Sequence, residues 1–503
     1  MKTSVKIAIG VAAALAVAYP VSMPLAGKYI ESRQMEMMER TGNEILKKIG
    51  IPYTFEHNFV RDSFSGSTYT YTITFELPQK DGKKLQLKLK DVSRIKHGLF
   101  VEGVSGIGTS DHEVTLEGVP EEFLVTLFGN NKSLGYKTVY TFSSIDYIYD
   151  SLPKIELNIG DSHVILNGIK GRTSASYDMK QLSGNVSFSE YSVENKLIKI
   201  AYKDLVGISS LKMIPDADNE PPCTYPFCLY TGQFQMTAAS YNVEALNLRT
   251  EDTEKKTVLA LQKPTFKVNV SDDSGFLDIL THTGAESLLI NGVEYAPTNT
   301  PAQLDISFRH LQTRAVAQFY RVYLDAFFQI IPNLMEKKFD EVTQAKLFMS
   351  KVVPAVTESG FSILEKSPEI RIDRLYFMTP KGVVDFSASV SVKDFDRKDI
   401  ANLDIWLDKL EVGLDAAVPV ALVNEEEDLT EQIKFGKKEG FLTEKDNILS
   451  TKVKLKNNEL TINGKPSPVS FSALRAMLKG SEGPSLDDIF GNNADSETPS
   501  QDK

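Results

Sequence analysis

The stretch from Ser67 to Pro78, STYTYTITFELP, sets Tyr69, Tyr71, Ile73 and Phe75 at every second position with threonines between them. A period of two sends alternate side chains to opposite faces, which is the pattern of a half-buried strand. The turn QKDGKK follows, and LQLKLK resumes the alternation, completing a hairpin. The same grammar returns in KIELNIGDSHVILNGIKG, LSGNVSFSEYS, KLIKIAYKD, PTFKVNVSDDSGFLDI, SLLINGVEYAP and VVDFSASVSVKDF. Strands are short, turns carry Gly, Asn and Asp, and no long helix alternates with single strands. That pattern predicts antiparallel meanders and argues against a doubly wound α/β sheet. No fixed-period repeat supports a propeller. The expected fold is mainly β with α (α+β): an elongated, strongly twisted antiparallel β-meander with a helical block packed on it and an N-terminal membrane helix.

That membrane helix is expected from the first 30 residues. Lys2 and Lys6 precede a run from Ile7 to Ala26 that carries no charge over 20 residues. About 20 residues at 1.5 Å each span the roughly 30 Å hydrocarbon core. Cations ahead of the run place residues 1–6 in the cytoplasm and the bulk of the chain across the membrane. Two outcomes compete: an uncleaved anchor over 7–26, or a signal peptide cleaved after the small-x-small triplet Ala16-Val17-Ala18. Either way the chain is exported and at most single-pass.

Residues 27–50, with Ile30, Met35, Met37, Met38, Ile45 and Leu46 among charges, are expected to form a stalk helix packing on the domain or on a copy of itself. A β-rich region over 51–300 follows. From 301 to 366 the spacing of Leu311, Phe319, Tyr323, Phe327, Ile331 and Leu334 predicts a helical block, broken by Pro332 and Pro354. A second β-rich region occupies 367–479, with helices expected at NEEEDLTEQIKFGKKEG and SFSALRAML. Residues 480–503 are acidic and rich in Ser, Gly and Asn, the composition of a disordered tail.

Chemistry is sparsely marked. The net charge of −11 is the wrong sign for a nucleic-acid partner. The six histidines are His57, His97, His112, His163, His282 and His310, and no two have the i, i+4 spacing that puts two zinc ligands on one helix face. SDHE around His112 and GDSH around His163 contain hydrolase residue types, but neighbours in a strand face opposite ways, and SDHE is expected to be a solvated turn. GVSGIG (103–108) lacks the glycine at 107 that a nucleophile elbow needs, and also the third glycine of a dinucleotide loop. VSDDSG (270–275) is too poor in oxygens for a calcium loop and is expected to be a hairpin turn. No catalytic residue, cofactor or metal ligand is predicted.

Several segments nevertheless form a recognisable series. They are PEIRIDRLYFMTPKGVVDFSASVSVKDF (368–395), LEVGLDAAVPVALV (410–423) and GFLTEKDNILSTKVKLKNNELTINGKP (440–466), followed by SFSALRAML. Upstream stand YTFEHNFVRDSFSGS (53–67), KHGLF (96–100) with Leu99 where proline is usual, and the apolar run ending in Gly27-Lys28. In this order they resemble the YdgA-like family, bacterial envelope proteins grouped as a domain of unknown function. The resemblance implies an inner-membrane-anchored periplasmic protein without an assigned enzymatic activity, some relatives of which are thought to self-associate or to affect surface behaviour such as swarming.

Cys223 and Cys228, the two cysteines of the chain, lie in PPCTYPFC. Four residues separate them, against two in a thioredoxin-type motif, and a metal site would need further soft ligands. In an oxidising compartment the expectation is a Cys223–Cys228 disulfide, a local staple worth little because the loop is short. The expected function is that of a non-enzymatic envelope scaffold or interaction protein, a homo-oligomer or a partner of other envelope proteins. A lipid-handling β-groove is the alternative, and an envelope hydrolase a distant third.

Overall fold

The computed structural model describes residues 22–37, 46–47, 52–78, 84–98, 106–119, 124, 133–150, 152, 154–159, 161–214, 228–246, 256–296, 301–336, 341–401, 405, 408–423 and 427–467. They form two compact units. The first comprises Met1–Asp273, Ile279–Gln303 and Tyr323–Phe348, the second Ser274–Asp278, Leu304–Val322 and Met349–Lys503.

Antiparallel strands dominate, as the alternation requires. In the first unit β1 (Tyr53–Arg61), β2 (Gly66–Pro78), β3 (Lys84–His97), β4 (Gly108–Glu117), β5 (Leu134–Tyr140) and β6 (Ser144–Tyr149) pair each with the next. After β7 (Ile155–Ile159) and β8 (Ser162–Asn167), β9 (Lys170–Ser176) pairs back onto β6, and β10 (Gln181–Glu194) is long enough to take two neighbours. β9 occupies one half of it, from Gln181's end, and β8 the other. β11 (Ile198–Met213) does the same for β12 (Tyr230–Thr237) and β13 (Ser240–Leu246), so the meander forks at these two long strands.

A helix over residues 22–37, α1, packs on one face of β2–β6 and β9. Ala26 and Ile30 are buried with Tyr69, Ile95, Ile107, Tyr140, Ile145 and Ala175. The side-chain amide of Gln34 donates to the Tyr140 hydroxyl at 2.6 Å, and the Tyr147 hydroxyl reaches the Met37 sulfur at 3.8 Å. Of the helix expected to pack on the domain or on a copy of itself, residues 27–37 are seen packed on the domain, as a core element of the first unit. Residues 22–26, the last five of the run expected to span a membrane, belong to the same helix, while 7–21 lie outside the described residues. No helix among the described residues is long and apolar enough to cross a membrane.

In the second unit five strands, Glu369–Thr379, Gly382–Val392, Leu410–Pro419, Ile448–Lys456 and Glu459–Ile462, pair in that order. The helix expected at NEEEDLTEQIKFGKKEG is present at Glu427–Lys438. SFSALRAML and the 480–503 tail lie outside the described residues.

The block expected to be helical from 301 needs correction. Its first part is a strand, Ala302–Gln312, whose alternating Leu304, Ile306, Phe308 and His310 were masked by the three- and four-residue spacing that starts at Leu311. Two helices follow, Thr313–Glu336 and Glu341–Leu364, and both run through the proline expected to break them. A proline forfeits one backbone hydrogen bond, and the apolar periodicity on either side outweighs that loss.

Candidate functional site

Two polar clusters lie on the face of the first unit that α1 covers. The first sits at the end of the sheet where α1 begins. His97 closes β3 and is 2% exposed, yet neither ring nitrogen has a hydrogen-bond partner. Gly27 of α1 lies directly on it: a Cβ there would come within 2.6 Å of Cε1 and Nδ1. Arg61, at the end of β1, donates from Nη2 to the Pro24 carbonyl at 3.2 Å, clasping the first turn of the helix. The backbone N–H of His97 donates to Ser65 at 2.8 Å, and that of Gly98 to Ile107 at 3.1 Å. Burial, with the Arg61 charge adding to it and Asp62 opposing it, holds the His97 imidazole below its ordinary pKa and therefore neutral.

The second cluster centres on Asp91, which is 0% exposed. His112 stands on the neighbouring strand with Nδ1 at 3.0 Å from Asp91 Oδ2, 2.8 Å from Ser93 Oγ, and Nε2 at 3.0 Å from Thr138 Oγ1. The Tyr136 hydroxyl donates to Asp91 at 2.9 Å and its ring stacks on the imidazole at 4.2 Å, and Tyr71 stands directly opposite Asp91 on β2. One tautomer satisfies the set: Nδ1–H donates to Asp91, and Nε2 accepts from Thr138. Burial, and then the Asp91 charge, push the Tyr71 and Tyr136 hydroxyls far above the usual phenol range.

Hydroxyl, imidazole and carboxylate in this order are the parts of a nucleophilic relay. A relay requires its hydroxyl to meet substrate, and Thr138 is 0% exposed, under the same face that α1 packs on. The arrangement is chemically that of a satisfied polar core, in which a buried carboxylate accepts from an imidazole and a phenol.

The chain matches the family model of bacterial proteins of unknown function (DUF945) over residues 1–470. It belongs to this family. No curated protein and no solved structure matches it. Within the DUF945 chain, the segments behind the YdgA-like resemblance fall into place as packing. Gly27, Arg61 and His97-Gly98, from three separate segments, meet at the first cluster. The described C-terminal segments form the hairpins of the second unit, with Pro380-Lys381 between the first two strands, one residue before the Lys381-Gly382 turn expected, and Asn457-Asn458 between the last two.

The other sequence candidates are dispersed. SDHE is a strand, contrary to the solvated turn expected: His112 points inward, and Asp111 and Glu113 point outward, pairing with Lys137 at 3.6 Å and Arg94 at 3.3 Å. His163 lies on the surface between Asn158 and Glu156. His310 has a left-handed φ of 58° and stacks on Phe276 at 3.9 Å. Ile107, at the position where an elbow needs glycine, is a 1% exposed core residue. No group of three metal-ligating side chains occurs among the described residues. Cys223 lies outside them, and Cys228 is buried just before β12. Asp91, Ser93, Tyr136 and Thr138 were missed, although β3 carries the signal. Leu85, Leu87, Leu89, Asp91, Ser93, Ile95 and His97 alternate with Gln86, Lys88, Lys90, Val92, Arg94 and Lys96, which puts the polar three on the apolar face.

Proposed function

We propose that this DUF945 chain is held in the bacterial inner membrane by residues 7–26, with its bulk in the periplasm, and acts without catalysis as an envelope scaffold or interaction protein. One observation carries the proposal. The helix that continues the apolar run is a core element of the first unit, with Ala26 and Ile30 buried on its sheet. Anchor and domain are then one piece, an arrangement suited to holding a β-rich surface at a fixed height above a bilayer. The family's shared segments support the same reading, since Gly27, Arg61 and His97 lock that helix to the sheet. Export also brings the Cys223–Cys228 disulfide, stapling the connection between β11 and β12.

Fractionation of cells expressing the full chain tests the location. The protein is expected in the inner-membrane fraction, resistant to alkaline wash, and open to protease once the outer membrane is removed. Recovery as a soluble cytoplasmic protein would overturn the proposal. Crosslinking in intact cells followed by mass spectrometry should return envelope proteins or a second copy of the chain.

Lipid handling is the second reading, favoured by a groove of about 1020 Å³ lined in part by Tyr29, Arg33, Phe142, Tyr177, Lys180 and Lys212. Arg33 lies over the Tyr29 ring at 5.1 Å and the Tyr177 ring at 5.7 Å, so cations and aromatic faces meet in one place. Phospholipid retained stoichiometrically by the purified chain, and lost in Arg33→Ala, would establish it over the scaffold reading.

A further inference from the structure

We propose that the end of the first unit where α1 enters is a membrane-contact surface, seated in the headgroup layer through Leu25, Phe64 and Phe142. This rests on the anchor reading of residues 7–26 and adds to it a second, peripheral contact made by the folded domain.

Register places the relevant turns together. His97 is opposite Gly108, Gly108 opposite Tyr140, Tyr140 opposite Ile145, and Ile145 opposite Ala175. The turns just beyond that line project from the same end of the sheet: Asp62–Ser65 between β1 and β2, Thr141–Ser143 between β5 and β6, and Tyr177–Lys180 between β9 and β10. α1 begins there too, because Pro24 is bonded to Arg61 and the Tyr29 hydroxyl donates to the Phe142 carbonyl at 2.7 Å.

This end is unusually apolar for turn tips. Phe142 is 69% exposed, Leu25 64% and Phe64 56%, and each stands within two residues of a bond that fixes its place. Phenylalanines presented to solvent on short, hydrogen-bonded turns cannot fold back into the core. Lys28, Arg61 and Lys180, all exposed, flank them, with Asp62 and Asp178 as the opposing charges.

Length argues for the bilayer as the occupant. A span beginning at Ile7 reaches Ala26 after about 20 residues, the thickness of the hydrocarbon core. Ala26 is already packed on the sheet at 8% exposure. The outer edge of the hydrocarbon therefore lies within about one helical turn, roughly 5.4 Å, of the sheet's end. The turn tips then stand in the headgroup region, which adds roughly 5–8 Å on each side of the hydrocarbon. Aromatic side chains are favoured at that level, and a cation beside them keeps its charge in water.

The test uses the full chain in phosphatidylethanolamine–phosphatidylglycerol vesicles with brominated acyl chains, which quench nearby tryptophan. Phe64→Trp and Phe142→Trp are conservative at an interface. Leu197→Trp is the reference, since Leu197 is 53% exposed in the turn at the opposite end of β10, roughly 40 Å along the strand at about 3.3 Å per residue. Val17→Trp reports on the anchor itself. Emission is compared with that of the parent, whose Trp406 sets the background. The expected result is blue-shifted emission and loss of intensity in brominated vesicles for Val17→Trp, Phe64→Trp and Phe142→Trp, and none for Leu197→Trp. Quenching of Val17→Trp alone would overturn the contact surface and leave the anchor standing. No quenching of Val17→Trp would remove the anchor and this surface with it.

Discussion

Gly27 and His97 are fixed by each other, and the pair makes a quantitative prediction. An alanine is favoured over glycine within a helix by about 1 kcal/mol. At position 27, however, its Cβ would meet the imidazole at 2.6 Å. Overpacking of that kind costs about 1–3 kcal/mol, so Gly27→Ala should destabilise the purified chain in urea titrations. With His97→Ala beneath it the same change should become neutral or stabilising, and a cycle with no coupling would refute the contact. His97 also predicts a pH dependence. Its folded pKa lies below the unfolded value of about 6.5, so below that pH the unfolded chain takes up a proton that the folded chain resists. Stability from this group is complete above about pH 6.5 and falls as pH drops toward the lower folded pKa. Unfolding midpoints measured from about pH 7.5 to about 5.5 should fall less steeply in His97→Asn than in the parent. Asp91→Asn should cost about 3 kcal/mol, because it removes the charge on which Tyr71, Tyr136 and His112 converge. A thermal melt unchanged by this substitution would show the cluster to be incidental.

Elements were legible where period and turn chemistry agreed. The hairpin around Asn457-Asn458 was plain because asparagine accepts the left-handed angles a two-residue turn needs, and both residues have positive φ, 51° and 64°. Asn458→Val should therefore destabilise the second unit by about 1–2 kcal/mol while Asn458→Gly leaves it unchanged, as read by limited proteolysis of that hairpin. The strand Ala302–Gln312 was lost because an apolar residue at its end, Leu311, also begins the helical spacing of the next segment. Alternation is a local signal, and at the join of two elements both periods fit. The buried Asp91 cluster was hidden for a different reason. Its members lie on four strands, and apart from Tyr71, which belongs to a plain apolar alternation, each looks like an ordinary surface residue until the face of its own strand is assigned. For β3 that assignment was available from the sequence. The partners on β4 and β5 depend on register, which single-strand patterns do not supply.

At the scale of the molecule, the apolar N-terminus and the β-rich body were legible, and the sequence left open whether the helix between them packs on the domain or on a copy of itself. The sequence at 27–50 is consistent with a stalk, because methionines among charges suit a helix lying on any apolar surface. What distinguishes a core helix is the sheet that receives it: Gly108 beneath Ile30, Tyr140 beneath Gln34, Tyr147 beneath Met37. These positions are distant in the chain and come together only on folding. The central claim is that α1 is part of the first unit's core, so that whatever holds the N-terminus holds the domain. Amide hydrogen exchange of the purified full chain tests it most directly. Residues 26–34 should exchange as slowly as the paired strands β3 to β5, through opening of the whole unit. Exchange over 26–34 as fast as in an isolated helix, with β3 to β5 still protected, would contradict it.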